Sequence, residues 1–182
     1  MLPPRRITDT FYQLATPFFP VYLSLGRDAM LIDAGVGGTL FLVENRLKEI
    51  GVDLARIQSV TLTHCHSDHI GLVPHLLTKW PHLKLRATSA AAEALAKDTV
   101  VQAFLAFDQK VAATLRSKNV VDAVPDPIAD YRFRVDTVLD DGQVLDLGNG
   151  IRWRVYATPG HAEYRRYPLQ DYLVVTTEAT SP

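Results

Sequence analysis

The sequence predicts a layered α/β fold, and three observations predict it. Short apolar, β-branched runs alternate with segments whose apolar residues recur at helical spacing. With 182 residues, the chain has room for one domain with a real core rather than two. The densest chemistry in the chain, Thr63-His64-Cys65-His66-Ser67-Asp68-His69-Ile70-Gly71, lies at the end of one such run, where an α/β sheet presents side chains at its edge.

The elements follow in order. Residues 1–20 are punctuated by proline and read as an arm that joins the sheet late. Phe19 to Leu25 and Ala29 to Asp33, joined by Gly26-Arg27-Asp28, read as a β-hairpin. Asp33 then meets Gly35, Gly37 and Gly38, so its carboxylate is expected to bind the amides of a turn. From Thr39 to Ile50, Leu40, Val43, Leu47 and Ile50 form an apolar face opposite Glu44, Arg46 and Glu49. Thr39 is the N-cap and Gly51 the terminator of this amphipathic helix.

Ile57 to Thr63 is a strand, and Leu72 to Trp80 a helix that tolerates Pro74 only in its first turn. His75 and His82 stand outside the cluster and read as surface or supporting residues. Leu83 to Ala87 is the next strand, with Ser89 capping an alanine-rich helix through Lys97. Asp98 to Asn119 keeps a helical period through Val101, Phe104, Leu105, Val111, Ala112 and Leu115. This segment, 98–119, is expected to be a helical insertion that roofs a substrate pocket, with Phe104 and Phe107 as walls. After a loop from Val120 to Tyr131, Arg134 to Leu139 and Gln143 to Leu147 read as a hairpin about Asp140-Asp141-Gly142. Ile151 to Ala157 is a further strand that delivers Thr158-Pro159-Gly160-His161.

Composition excludes several classes. The net charge is −1 with no Lys/Arg block, which argues against nucleic acid as the main partner. A single cysteine, Cys65, rules out an internal disulfide and fits a reducing compartment. No apolar run approaches the ~18 residues of a membrane span, and the N-terminus lacks the apolar core of a secretory signal. The protein is therefore expected to be cytoplasmic, with no membrane partner.

Imidazole and carboxylate suit zinc, iron or manganese when several converge on one ion. In extended chain, residues two apart point the same way, so His64 and His66 can pinch one ion while Cys65 faces the other side. Asp68 and His69 follow the strand and can aim at a neighbouring point. The competing reading is a solvated polar loop, but imidazoles that repel on protonation need a reason to be packed together.

THCHSDHIG resembles the metal-binding signature of the metallo-β-lactamase superfamily, His-x-His-x-Asp-His, and matches all four ligand positions. The resemblance runs from about Tyr22 to His161 and includes Leu31-Ile32-Asp33-Ala34-Gly35 and Thr158-Pro159-Gly160-His161. It implies an αββα sandwich with the site at the edge between two sheets, and Asp33 as a support near the metal. It also implies zinc, one or two ions per chain, held by His64, His66 and His161 with Asp68 and His69 at a second position; Asp68 is the catalytic candidate. Water bound at the open zinc position would supply hydroxide at neutral pH. The pattern looks closer to thioesterase and lactonase-like members, so a small-molecule thioester, lactone or related ester is the expected substrate.

The chain departs from the family pattern after His161. No later histidine follows, and Tyr172 to Thr177 ends in Glu178 where the family has Gly-Asp. The expectation is one domain over residues 1–182, shortened after the TPGH motif, with the C-terminal half of the sandwich incomplete and a homodimer covering part of the exposed sheet. Two functions stand against each other: a metal-dependent hydrolase, and a catalytically impaired metal-binding or partner-binding remnant of the same fold.

Overall fold

The structure, a computed structural model, describes residues 4–128, 130–159 and 171–177. Seven strands form the first sheet, in chain order across it: β1 (Arg5–Arg6), β2 (Phe11–Gln13), β3 (Tyr22–Leu25), β4 (Ala29–Ile32), β5 (Ile57–Thr61), β6 (Lys84–Ala87) and β7 (Thr137–Val138). Strands β1 to β4 pair antiparallel; β4 to β7 pair parallel. The parallel half needs helical crossovers. These are α1 (Leu40–Ile50), α2 (Ser67–Ile70), α3 (Val73–Lys79), α4 (Ser89–Leu95) and α5 (Asp98–Ser117). A second sheet, in the order β10-β9-β8, is built from β8 (Val144–Gly148), β9 (Ile151–Pro159) and β10 (Asp171–Thr177).

Strand β4 shows how the layers arise. All four of its residues are buried, because both its faces are covered. Ala29 and Leu31 join the core beneath the helices, with Val43, Leu47, Val60 and Leu76. Met30 and Ile32 point the other way, against Leu145, Leu147, Trp153 and Val155 of the second sheet. Across that second core Trp153 Nε1 donates to Ser24 Oγ at 2.8 Å.

The N-terminal arm joins the first sheet as expected, supplying β1 at its edge and β2 between β1 and β3. Several sequence expectations are corrected here. Arg46, expected on the solvated face of α1, is buried and donates to the carbonyls of Leu14 and Ala15 at 2.8 and 2.9 Å, pinning that arm to the helix. Thr39 precedes α1 without capping it, its hydroxyl donating instead to Val36 O. Thr88, not Ser89, caps α4, its Oγ1 accepting from Ala91 N–H at 3.1 Å.

The hairpin about residues 140–142 does not form. Strand β7 adds to β6 in the first sheet, while β8 pairs with β9 in the second, so Asp140-Asp141-Gly142 is a crossing between layers. The β8–β9 reversal runs instead through Asn149 and Gly150, both at positive φ. Among the described residues, β8 and β9 of the second layer pack Leu145, Leu147, Trp153 and Val155 against Tyr22, Met30 and Ile32 of β3 and β4. Gly51 ends α1 as expected, at φ 76° with its N–H on Leu47 O and Lys48 O. Among the described residues no helix is long and apolar enough to cross a membrane.

Removing the hydroxyl that ties the layers together should be costly. Ser24→Ala leaves the buried Trp153 indole N–H without its acceptor, and urea unfolding is expected to show a loss of about 1–3 kcal/mol.

Candidate metal centre

The site forms where the parallel neighbours β4 and β5 end side by side. Asp33 and Thr63 follow these ends, with Asp33 N–H on Thr61 O at 2.9 Å. Asp33 takes a left-handed conformation, φ 58°, which turns the chain away from the sheet. Three backbone bonds then zip the loop after β4 to the histidine loop: Ala34 N to His69 O (2.7 Å), Gly71 N to Gly35 O (2.8 Å) and Leu72 N to Ala34 O (2.8 Å).

The Asp33 side chain, 3% exposed, gathers both loops. Its Oδ1 accepts from Thr63 N–H at 2.8 Å, an amide of the other loop rather than of the glycine turn expected from the sequence. Thr63 Oγ1 lies 2.8 and 2.9 Å from the two carboxylate oxygens, and His69 Nδ1 lies 2.9 Å from Oδ2. An ionised carboxylate only accepts, so the Thr63 hydroxyl proton and the His69 Nδ1 proton both point at Asp33. Thr63 Oγ1 is then the acceptor for His64 Nδ1–H, 3.0 Å away. One carboxylate thus sets two tautomers: His64 and His69 each keep Nε2 as the nitrogen with a lone pair.

His64 Nε2 sits 3.0 Å from His66 Nδ1. Two nitrogen ligands on one tetrahedral zinc at ~2.0–2.1 Å lie roughly 3.3–3.4 Å apart, so a small movement would let this pair share an ion. The His64 and His69 rings are 4.1 Å apart between centroids, and His69 Nε2 is 3.7 Å from Asp68 Oδ2. Asp68 and His69 lie on α2, with His66 at its N-cap. Burial lowers the His69 pKa, but the Asp33 hydrogen bond, the Asp33 charge and the Asp68 charge outweigh it, and the net shift is upward. Cys65 turns into the core, 1% exposed, where burial pushes its thiol up to about 11.

The structure therefore brings together His64, His66, Asp68, His69 and Asp33. Strand β9 carries the chain to Pro159; His161 and Glu178 lie outside the described residues. Among the described residues, no three His, Cys, Asp or Glu side chains meet in metal-binding geometry.

Beside this loop, α5 packs against α2 and the 3-10 turn Gly37–Thr39. Between α5, that turn and α3 lies a cavity of about 160 Å³. Its wall on α5 is Leu105, Asp108, Gln109, Ala112 and Ala113; neither Phe104 nor Phe107 lines it. Phe104 packs on the main core and Phe107 is 48% exposed beside a shallow groove with Phe19 and Val111. The helix presents a different face because Asp108, 9% exposed, bonds inward to Gly37 N–H at 2.8 Å. Sequence reasoning missed Asp108, although a signal existed: it falls between Leu105 and Ala112 on the apolar stripe. His75, taken as a surface or supporting residue, is half-buried and lines this cavity.

The profile of the metallo-beta-lactamase superfamily matches residues 21–164. A metallo-beta-lactamase fold-containing protein from Sulfurisphaera tokodaii is 28% identical over 93% of this chain and 58% of its own. An atrochrysone carboxyl ACP thioesterase from Aspergillus chevalieri is 37% identical, over 32% of this chain and 19% of its own. Among solved structures, the class B3 di-zinc metallo-beta-lactamase LRA-12 from an Alaskan soil metagenome superimposes with a TM-score of 0.70 at 18% identity, over 97% of this chain and 57% of that one. The MIM-2 metallo-beta-lactamase gives 0.67 at 26% identity, over 98% and 57%. The chain spans less than two thirds of the length of each of these relatives.

Burial raises the Asp108 pKa to about 6 from an ordinary 3.8, the Gly37 N–H opposing the shift. A raised carboxyl keeps its proton longer in the folded state, so its contribution to stability falls as pH rises from about 4 to about 6 and is level above that. Asp108→Asn keeps an acceptor for Gly37 but does not titrate. Urea unfolding should show the variant gaining on the parent by on the order of 2–3 kcal/mol between pH 4 and pH 7.

Proposed function

The chain belongs to the metallo-β-lactamase superfamily, and from that premise we propose that it is a metal-dependent hydrolase of a thioester, lactone or related ester. The observation that carries the reading is the pair of imidazole nitrogens, His64 Nε2 and His66 Nδ1, aimed at one another 3.0 Å apart. The donor set of neutral imidazoles and one carboxylate suits zinc, with iron or manganese as alternatives. His64 and His66, joined by His161, would hold one ion; Asp68 and His69 would hold a second. Zinc bound there would lower the pKa of its water toward about 7 and polarise the ester carbonyl.

The chain's own residues supply orientation and proton handling. Asp33 and Thr63 fix the tautomers of His64 and His69 before substrate arrives, so no reorganisation is needed at the moment of reaction. Where it orients water instead of holding a second ion, Asp68, its side chain 40% exposed beside His69, would accept a proton from the attacking water and return it to the leaving group. Cys65 takes no part as a nucleophile, because its buried thiol stays protonated at neutral pH. Helix α5, packed on α2, would cover the site and keep water out.

The thioester preference draws on the sequence likeness to the fungal ACP thioesterase, which covers only a third of this chain. The substrate is accordingly a small-molecule acyl compound, with neither nucleic acid nor membrane as partner. A panel of acyl thioesters and lactones offered to zinc-loaded protein tests the reading. Turnover is expected, with loss of at least 100-fold on chelation or in His64→Ala. Thioester turnover unchanged by chelation and by His66→Ala would refute it; metal retained without turnover of any panel member would favour a binding role.

A further inference from the structure

The cavity beneath α5 holds two polar groups with no use in the hydrolytic site. Its described lining is largely apolar, including Pro74, Leu105, Ala112 and Val124, and its only titratable side chains are Asp108 from α5 and His75 from α3. Asp108 is nine-tenths buried, and Oδ1 takes the Gly37 N–H. Oδ2 has no hydrogen-bond partner or ion pair among the described residues. A Cβ placed on Gly37 would stand 2.5 Å from Asp108 Oδ2 and 3.0 Å from His75 Nε2, so both polar atoms look onto the same spot.

Buried carboxylates are ordinarily paired with a cation or fully hydrogen-bonded. No lysine or arginine lines this cavity among the described residues. His75 does not fill that place either: burial lowers its pKa, leaving it neutral at pH 7.5, where the Asp108 carboxyl is ionised. The missing partner is a positive charge. The space for it is also defined, since a cavity of about 150 Å³ accommodates a benzene-sized body.

We propose that this cavity is a binding site for a small organic cation, a primary ammonium on a benzene-sized hydrocarbon body. The ammonium bonds Asp108 Oδ2, with His75 Nε2 as a second acceptor, and the hydrocarbon lies against the apolar wall. The site uses none of His64, His66, Asp68 or His69 and touches the histidine loop only at Gly71, and its binding does not depend on the hydrolase reading.

Benzylammonium and its neutral isostere benzyl alcohol, titrated at pH 7.5 by calorimetry and followed by amide chemical shifts, test this without any turnover. The parent protein should bind benzylammonium at least 10-fold more tightly than the alcohol, with shifts at the Gly37 and Gly71 amides. Asp108→Asn, which keeps the Gly37 bond, should erase that preference, and Ala113→Leu at the cavity wall should weaken both ligands. Equal affinity for the two compounds, no binding of either, a preference that survives Asp108→Asn, or shifts confined to residues 64–69 would overturn the proposal.

Discussion

The carboxylate of Asp33 is the interaction on which the candidate centre depends. It stands at the end of β4, beside the end of β5, and it binds Thr63 through backbone and hydroxyl and His69 through Nδ1. Through Thr63 it also reaches His64. Without it, the histidine loop would have no reason to keep two imidazoles in defined tautomers, packed close enough to repel on protonation. The left-handed turn at Asp33 carries a local cost, and the bonds that Ala34 and Gly35 make to the histidine loop hold it in place.

Layering makes this rigid. Strand β4 is buried on both faces, with Ala29 and Leu31 under the helices and Met30 and Ile32 against the second sheet. The end of such a strand cannot shift without disturbing two cores. Arg46 adds a tie at the other edge, holding the arm that carries β1 and β2. Helix α5 is fixed differently, by a carboxylate reaching into a mostly apolar cavity. Its face toward the site is therefore partly polar and only partly filled.

The parts of this organisation that local pattern could reveal were legible. Strand-end placement of His64 and His66, the turn of Cys65 away from them and the Gly51 terminator follow from side-chain period or turn chemistry within a few residues, whereas Asp33 binds the Thr63 amide thirty residues away rather than the amides of its own turn. What escaped were long-range choices. Nothing local tells that Arg46 finds the carbonyls of Leu14 and Ala15, some thirty residues away. Residues 134–147 look like a hairpin because their turn residues fit one, yet the two flanking runs pair with different sheets. Asp108 was readable as a break in an apolar stripe, but not its partner, Gly37.

His64, oriented through Thr63 and Asp33, and His66 beside it would form one face of a metal position. Anomalous scattering at the zinc edge, measured on zinc-loaded crystals, tests it most directly. A peak is expected within about 2.0–2.2 Å of both His64 Nε2 and His66 Nδ1. A zinc peak bound away from both nitrogens, or none at full zinc loading, would contradict it.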